Sequence, residues 1–323
     1  MFSSLSGGYT NVKNCVFKIN TPYYYIINAF KCKLVYIFYI FDETLVRILC
    51  VCYNSYMKIK KKISYAQMGK QILKCLDKEA FEQAKLKVLL KQNDSHGFGT
   101  LQEKTVHAVM KLYYEPDIDY HEVPIEGFIA DIYTGERIIE IQNGNFNKLR
   151  PKLAAFLPLY SVTVVLPIPH HKWVIWMDEE SGELSKKHKS PVTGSVYHAF
   201  PELYKIKQYL GHPNLSFAFP LLDIDEYRLL NGWSKNRKRG SSRYDRMPLA
   251  LFDEVLIERV EDFMQLVPYE LEDAFTVKEF AKAAGIHRDL AGVVLPLLMH
   301  MGLLVRVGKR GREYLYESAE EYR

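Results

Sequence analysis

Residues 161–169 read SVTVVLPIP. The run carries no charge, is rich in β-branched residues, and ends at prolines. It is too short to serve as a buried helix and has the character of a strand buried on both faces. Such a strand needs neighbours on either side and cover above and below, so this short run sets the fold class.

The sequence around it supplies both requirements. Upstream, the segments YHEVPI, GFIADIY and ERIIEIQ (120–125, 127–133 and 136–142) read as three strands, with Thr134-Gly135 as a two-residue hairpin loop. Between them and the central run, NKLRPKLAAFLPLY (147–160) reads as an amphipathic helix with Pro151 in its first turn and Pro158 limiting its end. Helical spacing also marks 68–91 and 101–114. In the latter, Thr100 and Glu103 form the sequence of a capping box. KWVIWMDEESGELS (172–185) is a further hairpin, turning at Ser181-Gly182. The order predicts an α/β (α+β) fold with a mixed central sheet covered by helices.

Further on, we expect a helix near 201–210, a strand near 215–224 and a basic loop reaching 247. Pro248–Pro268 reads as a helix, followed by helices over TVKEFAKAAG and HRDLAGVVLPLLMHMG. LLVRVGKRGREYLYE then gives a strand, a turn and a strand. Three helices and a β-wing describe a winged helix-turn-helix. The expected organisation is 1–67 as a segment apart, 68–195 as an α/β core, 196–250 as an extension with the basic loop, and 251–323 as the winged-helix domain.

Charge separates the first segment from the rest. Residues 1–67 contain nine Lys or Arg against Asp42 and Glu43, a net +7, whereas the whole chain is +5 and the remainder therefore −2. Any basic surface beyond residue 67 is a local patch. The first segment holds four of the five cysteines, lacks a clean period, and has its apolar runs broken by charges, so it offers neither a membrane span nor a secretory signal. Three readings stay open for it: a translated upstream region with the start at Met57 or Met68, a membrane-associated leader, or a small N-terminal element. Cys75 alone outside it fits a reducing cytoplasm.

The polar residues of the hairpin carry the candidate chemistry. A two-residue loop would pair Asp131 with Ile138 and Glu140 with Ile129, placing Asp131, Glu140 and Gln142 on one face. Ala130, Ile132, Ile139 and Ile141 would then bury the other. Two close carboxylates repel, and a divalent cation relieves them.

This arrangement resembles the PD-(D/E)XK nuclease core over residues 100–169: a helix with Glu, a strand with Asp, then Glu-x-Lys on the next strand, followed by helix and strand. The resemblance implies a restriction-endonuclease-like fold. It implies Mg²⁺ (or Mn²⁺) held by Asp131, Glu140 and the Ile141 carbonyl, with Glu103 assisting through water. It also implies hydrolysis of DNA phosphodiesters, in defence or repair. Ala130 stands where the family has proline, and Gln142 where it has lysine. Gln carries no positive charge; other members move the lysine to the following helix, where Lys148 and Lys152 are candidates.

Nucleic-acid contacts are expected from Lys235, Arg237, Lys238, Arg239, Arg243 and Arg246, beside Trp233 and Tyr244, and from Arg288, Lys309, Arg310 and Arg312 near the wing. His170-His171 reads as a surface turn, since adjacent side chains of an extended chain diverge. His96, His107, His121 and His188 show no ligand spacing. There is no P-loop or dinucleotide fingerprint, so no nucleotide cofactor is expected. The alternatives are a DNA-binding or regulatory protein that kept the fold without catalysis, and a winged-helix scaffold for protein partners. A homodimer is compatible with all three.

Overall fold

The computed structural model describes residues 77–94, 104–231 and 240–322, with four short strands before residue 35. Those strands lie in a first unit, Met1–Ile63: β1 (Cys15–Phe17) pairs antiparallel with β2 (Tyr25–Ile27), and β3 (Ala29–Phe30) with β4 (Lys33–Leu34). Ser64–Arg323 forms the second unit, which holds every candidate site residue. Among the described residues no helix is long and apolar enough to cross a membrane.

The second unit is a mixed α/β structure built on one large sheet. Strands β5 (His121–Ile125), β6 (Phe128–Tyr133) and β7 (Arg137–Ile141) form an antiparallel meander, and β7 then pairs parallel with β8 (Ser161–Val165). As expected of the uncharged run, Val162 and Val164 of β8 are fully buried. β8 and β9 (Ile168–Met177) follow one another along the same edge of β11 (Leu215–Leu229), both parallel to it. Pro167 marks the break, where a residue without an N–H interrupts the ladder. The far edge of β11 is covered along its length by β12 (Ser242–Ile257), and the two-residue β10 (His188–Lys189) flanks β9.

Helices cover both faces. α1 (Lys78–Asp94) and α2 (Thr105–Tyr114) bury Phe81, Val106 and Met110 against Ile132, Ile139, Ile141 and Leu222. α3 (Arg150–Phe156), begun by Pro151, buries Leu153 and Phe156 on the other side, against Ile138, Val162 and Val164. The same core continues through α4 (Phe200–Leu203) into α5 (Val277–Ala283) and α6 (Arg288–His300). The hairpin of β13 (Leu304–Arg310) and β14 (Glu313–Ser318) follows, with Tyr316 paired through its backbone to Phe275.

Three sequence expectations change. The helix expected over 248–268 is instead the second half of β12 and a 3-10 turn at Val260–Leu266. Glu254, out of place in a strand, is satisfied by α2. Tyr113 and Tyr114 hydroxyls both donate to Glu254, and Thr105 donates to Asp245 at the start of the same strand. The basic loop expected to reach 247 becomes strand from Ser242, and β12 crosses the boundary expected between 250 and 251. The helix expected at 201–210 is a single α-turn followed by 3-10 turns, with non-helical backbone at Ile206.

The hairpin register also differs. Tyr133 pairs with Ile138 and Ile132 with Ile139, two residues from the expected pairing. A two-residue type I′ loop needs positive φ at both central positions. Gly135 has it (+91°), but Thr134 is not among the positive-φ residues, and the loop widens to 134–137, closed by the Thr134 N–H to Arg137 O bond. A shift of two would by itself keep Asp131 and Glu140 on one face, but Asp131 meets His107 of α2 and Glu140 meets Lys152 of α3, helices on opposite sides of the sheet. Ala130 does not follow Ile132, however. It buries with the α3 side and Ile132 with the α2 side, so the alternation breaks at Asp131.

Candidate functional site

Regular pairing between β6 and β7 stops after two residue pairs, and the carboxylates take over where the strands part. The Ile141 N–H donates to Asp131 Oδ2 at 2.8 Å, and the Asp131 N–H donates to Glu140 Oε1 at 3.4 Å. Side chains thus replace two ladder bonds, which keeps buried backbone donors satisfied. From α3, Lys152 Nζ reaches both oxygens of Glu140, at 2.9 and 2.8 Å. From α2, His107 Nε2 lies 3.3 Å from Asp131 Oδ2.

The two acids titrate apart. Burial, then the neighbouring Asp131 charge, push Glu140 up to about 7 despite Lys152. Burial also pushes the Asp131 carboxyl up. The His107 hydrogen bond and charge, the Ile141 N–H and Lys152 outweigh that effect and hold it below its ordinary value. Such splitting of a carboxylate pair is what a shared charge site produces. Two hard oxygen donors of this kind suit Mg²⁺ or Mn²⁺.

Of the expected site residues, Asp131 and Glu140 are brought together and Ile141 joins them through its N–H. Gln142 lies just past β7, its N–H donating to Val165 O. The lysine that meets Glu140 is Lys152, one of the two named on the following helix. Glu103 lies outside the described residues, as do Lys235, Arg237, Lys238 and Arg239. His107 was overlooked. The available signal was its place near the start of the helix that precedes the three strands.

The remaining basic candidates divide. Arg246 is no free contact. Together with Lys172 and Arg228 it pairs with the buried Glu226, at 3.1, 3.7 and 2.9 Å. Three cations on one carboxylate leave an excess of positive charge. Lys172 and Arg228 also line a cavity of about 610 Å³ with Trp176, His188, Lys189 and Ser241. Arg243 is exposed on β12. Arg288 is paired with Glu313, and Arg310 with Glu279 at 2.6 Å. Lys309 packs over Tyr314, and Arg312 is exposed at the β13–β14 turn.

His170 and His171 are not a divergent surface turn. Leu222 of β11 pairs with Pro169, and Ile224 with Lys172, so both histidines oppose the single residue Asp223. This is a β-bulge, which turns both rings toward one side. Each Nδ1 lies near Asp223 Oδ1, at 3.3 and 3.1 Å.

The mixed α/β sheet with its cluster of acids and a lysine defines the class of structure, and comparison with known proteins adds a family match. A family described as a domain of unknown function (DUF8091) matches residues 104–258. An uncharacterized protein of Treponema pallidum (strain Nichols) is 25% identical over 227 residues, covering 68% of this chain and 86% of the relative. No solved structure gives a significant match. The family match runs from the N-cap of α2 to the residue after β12, and so includes both polar clusters.

Proposed function

We propose that the chain is a Mg²⁺- or Mn²⁺-dependent nuclease that hydrolyses DNA phosphodiester bonds, with a core resembling the PD-(D/E)XK nucleases. The observation that carries this reading is the meeting of Asp131, Glu140 and Lys152 on strand, strand and helix, at the parting of β6 and β7. Lys152 supplies the positive charge that Gln142 lacks. Bound by Asp131, Glu140 and the Ile141 carbonyl, the cation would polarise the phosphoryl group and promote attack by water. Asp131, held ionised by its partners, keeps an acceptor for the cation at neutral pH. His107 fixes the Asp131 rotamer, and Lys152 orients Glu140 and balances its charge. The positively charged cavity beside Trp176 offers a place for phosphates and a ring on which a base can stack. Residues 260–318, which resemble a winged helix, would add duplex contacts through Lys309 and Arg312.

The test is nicking of supercoiled DNA with Mg²⁺, with Mn²⁺ and with chelator. The wild type should cut only with metal, and Asp131→Ala should lose cutting while binding DNA nearly as well. A wild type that never cuts overturns the proposal.

One observation favours a second reading. Glu140 is wholly buried, and both of its oxygens are taken by Lys152. A locked ion pair of this kind suits a protein that binds nucleic acid without cutting it. Salt-dependent affinity with no cleavage under any metal would be its signature.

A further inference from the structure

We propose that His170, His171 and Asp223 form a second metal site, one for a divalent first-row transition ion, separate from the acidic cluster at Asp131. The argument begins with too many donors. Asp223 Oδ1 has three nitrogens within hydrogen-bonding distance: His170 Nδ1 at 3.3 Å, His171 Nδ1 at 3.1 Å and the His171 backbone N–H at 3.0 Å. A carboxylate oxygen offers about two lone-pair sites. If both imidazoles carried their proton on Nδ1, three N–H groups would compete for those sites. A cation seated among the three side chains removes the conflict: each Nδ1 presents a lone pair to the ion, and the backbone N–H remains as the support for the carboxylate.

The spacing fits. For metal–ligand bonds of about 2.0–2.2 Å, neighbouring donors lie about 2.8–3.6 Å apart across octahedral to tetrahedral geometries. The two measured separations fall inside that interval, and one ligand atom from each residue lies within 4.8 Å of the others.

The site is held on every side. The β9 bulge brings both rings to Asp223. A second bulge on β12, at Phe252, breaks the pairing between Leu221 and Leu222 of β11, and the Phe252 ring stacks on His170 at 3.7 Å and 13°. His170 O accepts the Gly194 N–H at 2.8 Å. The three side chains keep 12%, 29% and 24% of their surface exposed, so an ion can enter and water can complete its coordination. Two imidazoles with one carboxylate favour Zn²⁺, Co²⁺, Fe²⁺ or Ni²⁺ over Mg²⁺ or Ca²⁺.

Co²⁺ absorption and Zn²⁺ titration calorimetry of the full chain test this. The wild type should bind one equivalent that Mg²⁺ in large excess does not displace. That equivalent should vanish in His171→Gln and in Asp223→Asn and persist in Asp131→Ala, which separates this site from the acidic cluster. His171 is the most exposed of the three, so its variant is the least exposed to misfolding. Far-UV circular dichroism checks each variant, and His170→Gln replaces any that unfolds. Equal stoichiometry in wild type and folded histidine variants overturns the proposal, as does a wild type that binds no Co²⁺ or Zn²⁺.

Discussion

Lys152, its own side chain 23% exposed, grips both carboxylate oxygens of the fully buried Glu140 and so joins α3 to the sheet. Removing one partner of a buried pair leaves a charge without compensation. We therefore expect Lys152→Met to lose about 3–5 kcal/mol of stability at pH 8. At pH 5, below the value of about 7 for Glu140, the folded carboxyl is already protonated and the loss should be much smaller. Urea unfolding at the two pH values checks this.

The pH dependence of stability should carry two opposite signs. Glu140 titrates higher in the folded chain than its ordinary 4.5, so the unfolded chain gives up that proton first. Stability then falls as pH rises from about 4.5 to about 7. Asp131 titrates lower than its ordinary 3.8, so its stabilisation is present above that value and is lost as pH falls through the folded one. Glu140→Gln should flatten the slope between pH 4.5 and 7 and leave the acid limb unchanged. Any metal-dependent cutting should rise through about pH 7 as Glu140 ionises.

Tyr114→Phe should destabilise the fold by about 1.5–3 kcal/mol, the range for a hydrogen bond to a charged group. Its hydroxyl and that of Tyr113 are the partners of Glu254, whose carboxyl is raised mainly by burial. Glu254→Gln, which keeps an acceptor without the buried charge, should cost less. Thermal unfolding of the two variants gives the order.

Gly194→Ala should break the histidine cluster without touching it. A Cβ at Gly194 would come within 1.9 Å of Pro169 O, the carbonyl just before His170. The backbone on one side must move. We expect a loss of about 1–3 kcal/mol, as for an overpacked core, together with loss of the Co²⁺ equivalent.

Under the proposed nuclease reading, Lys189→Ala should weaken nucleic-acid binding evenly across sequences. It should also reduce the slope of log affinity against log salt by about 1, the effect of one lost phosphate contact. Lys189 lines the cavity beside Trp176 and lies 5.6 Å over the Trp173 ring. Fluorescence anisotropy over a salt series measures both quantities.

What the sequence made legible was local. The uncharged run at 161–169, the Ile-rich hairpin and Pro151 each declare their element within a few residues, whereas the single face expected for Asp131 and Glu140 from a period of two fails where the alternation breaks at Asp131. The histidine bulge could not be read that way, because it exists only through the neighbouring strand, where one residue stands opposite two. β12 was hidden for a similar reason. Its Asp245 and Glu254 look wrong for a strand until Thr105, Tyr113 and Tyr114, some 140 residues earlier, are seen to satisfy them. The turn at Thr134-Gly135 lay between these cases: its place was right, but only one of its two residues adopts positive φ.

The continuous core beneath α3, α4, α5 and α6 bears on how the protein can be divided. Phe200 and Leu203 bury in the same cluster as Phe280, Leu295 and Leu298. A chain cut after β12 would leave an oily face on the sheet side, and the excised C-terminal piece would carry its complement. Residues 260–318 are therefore not a cassette that could be lifted off and grafted elsewhere. Calorimetry of the second unit should record one melting event.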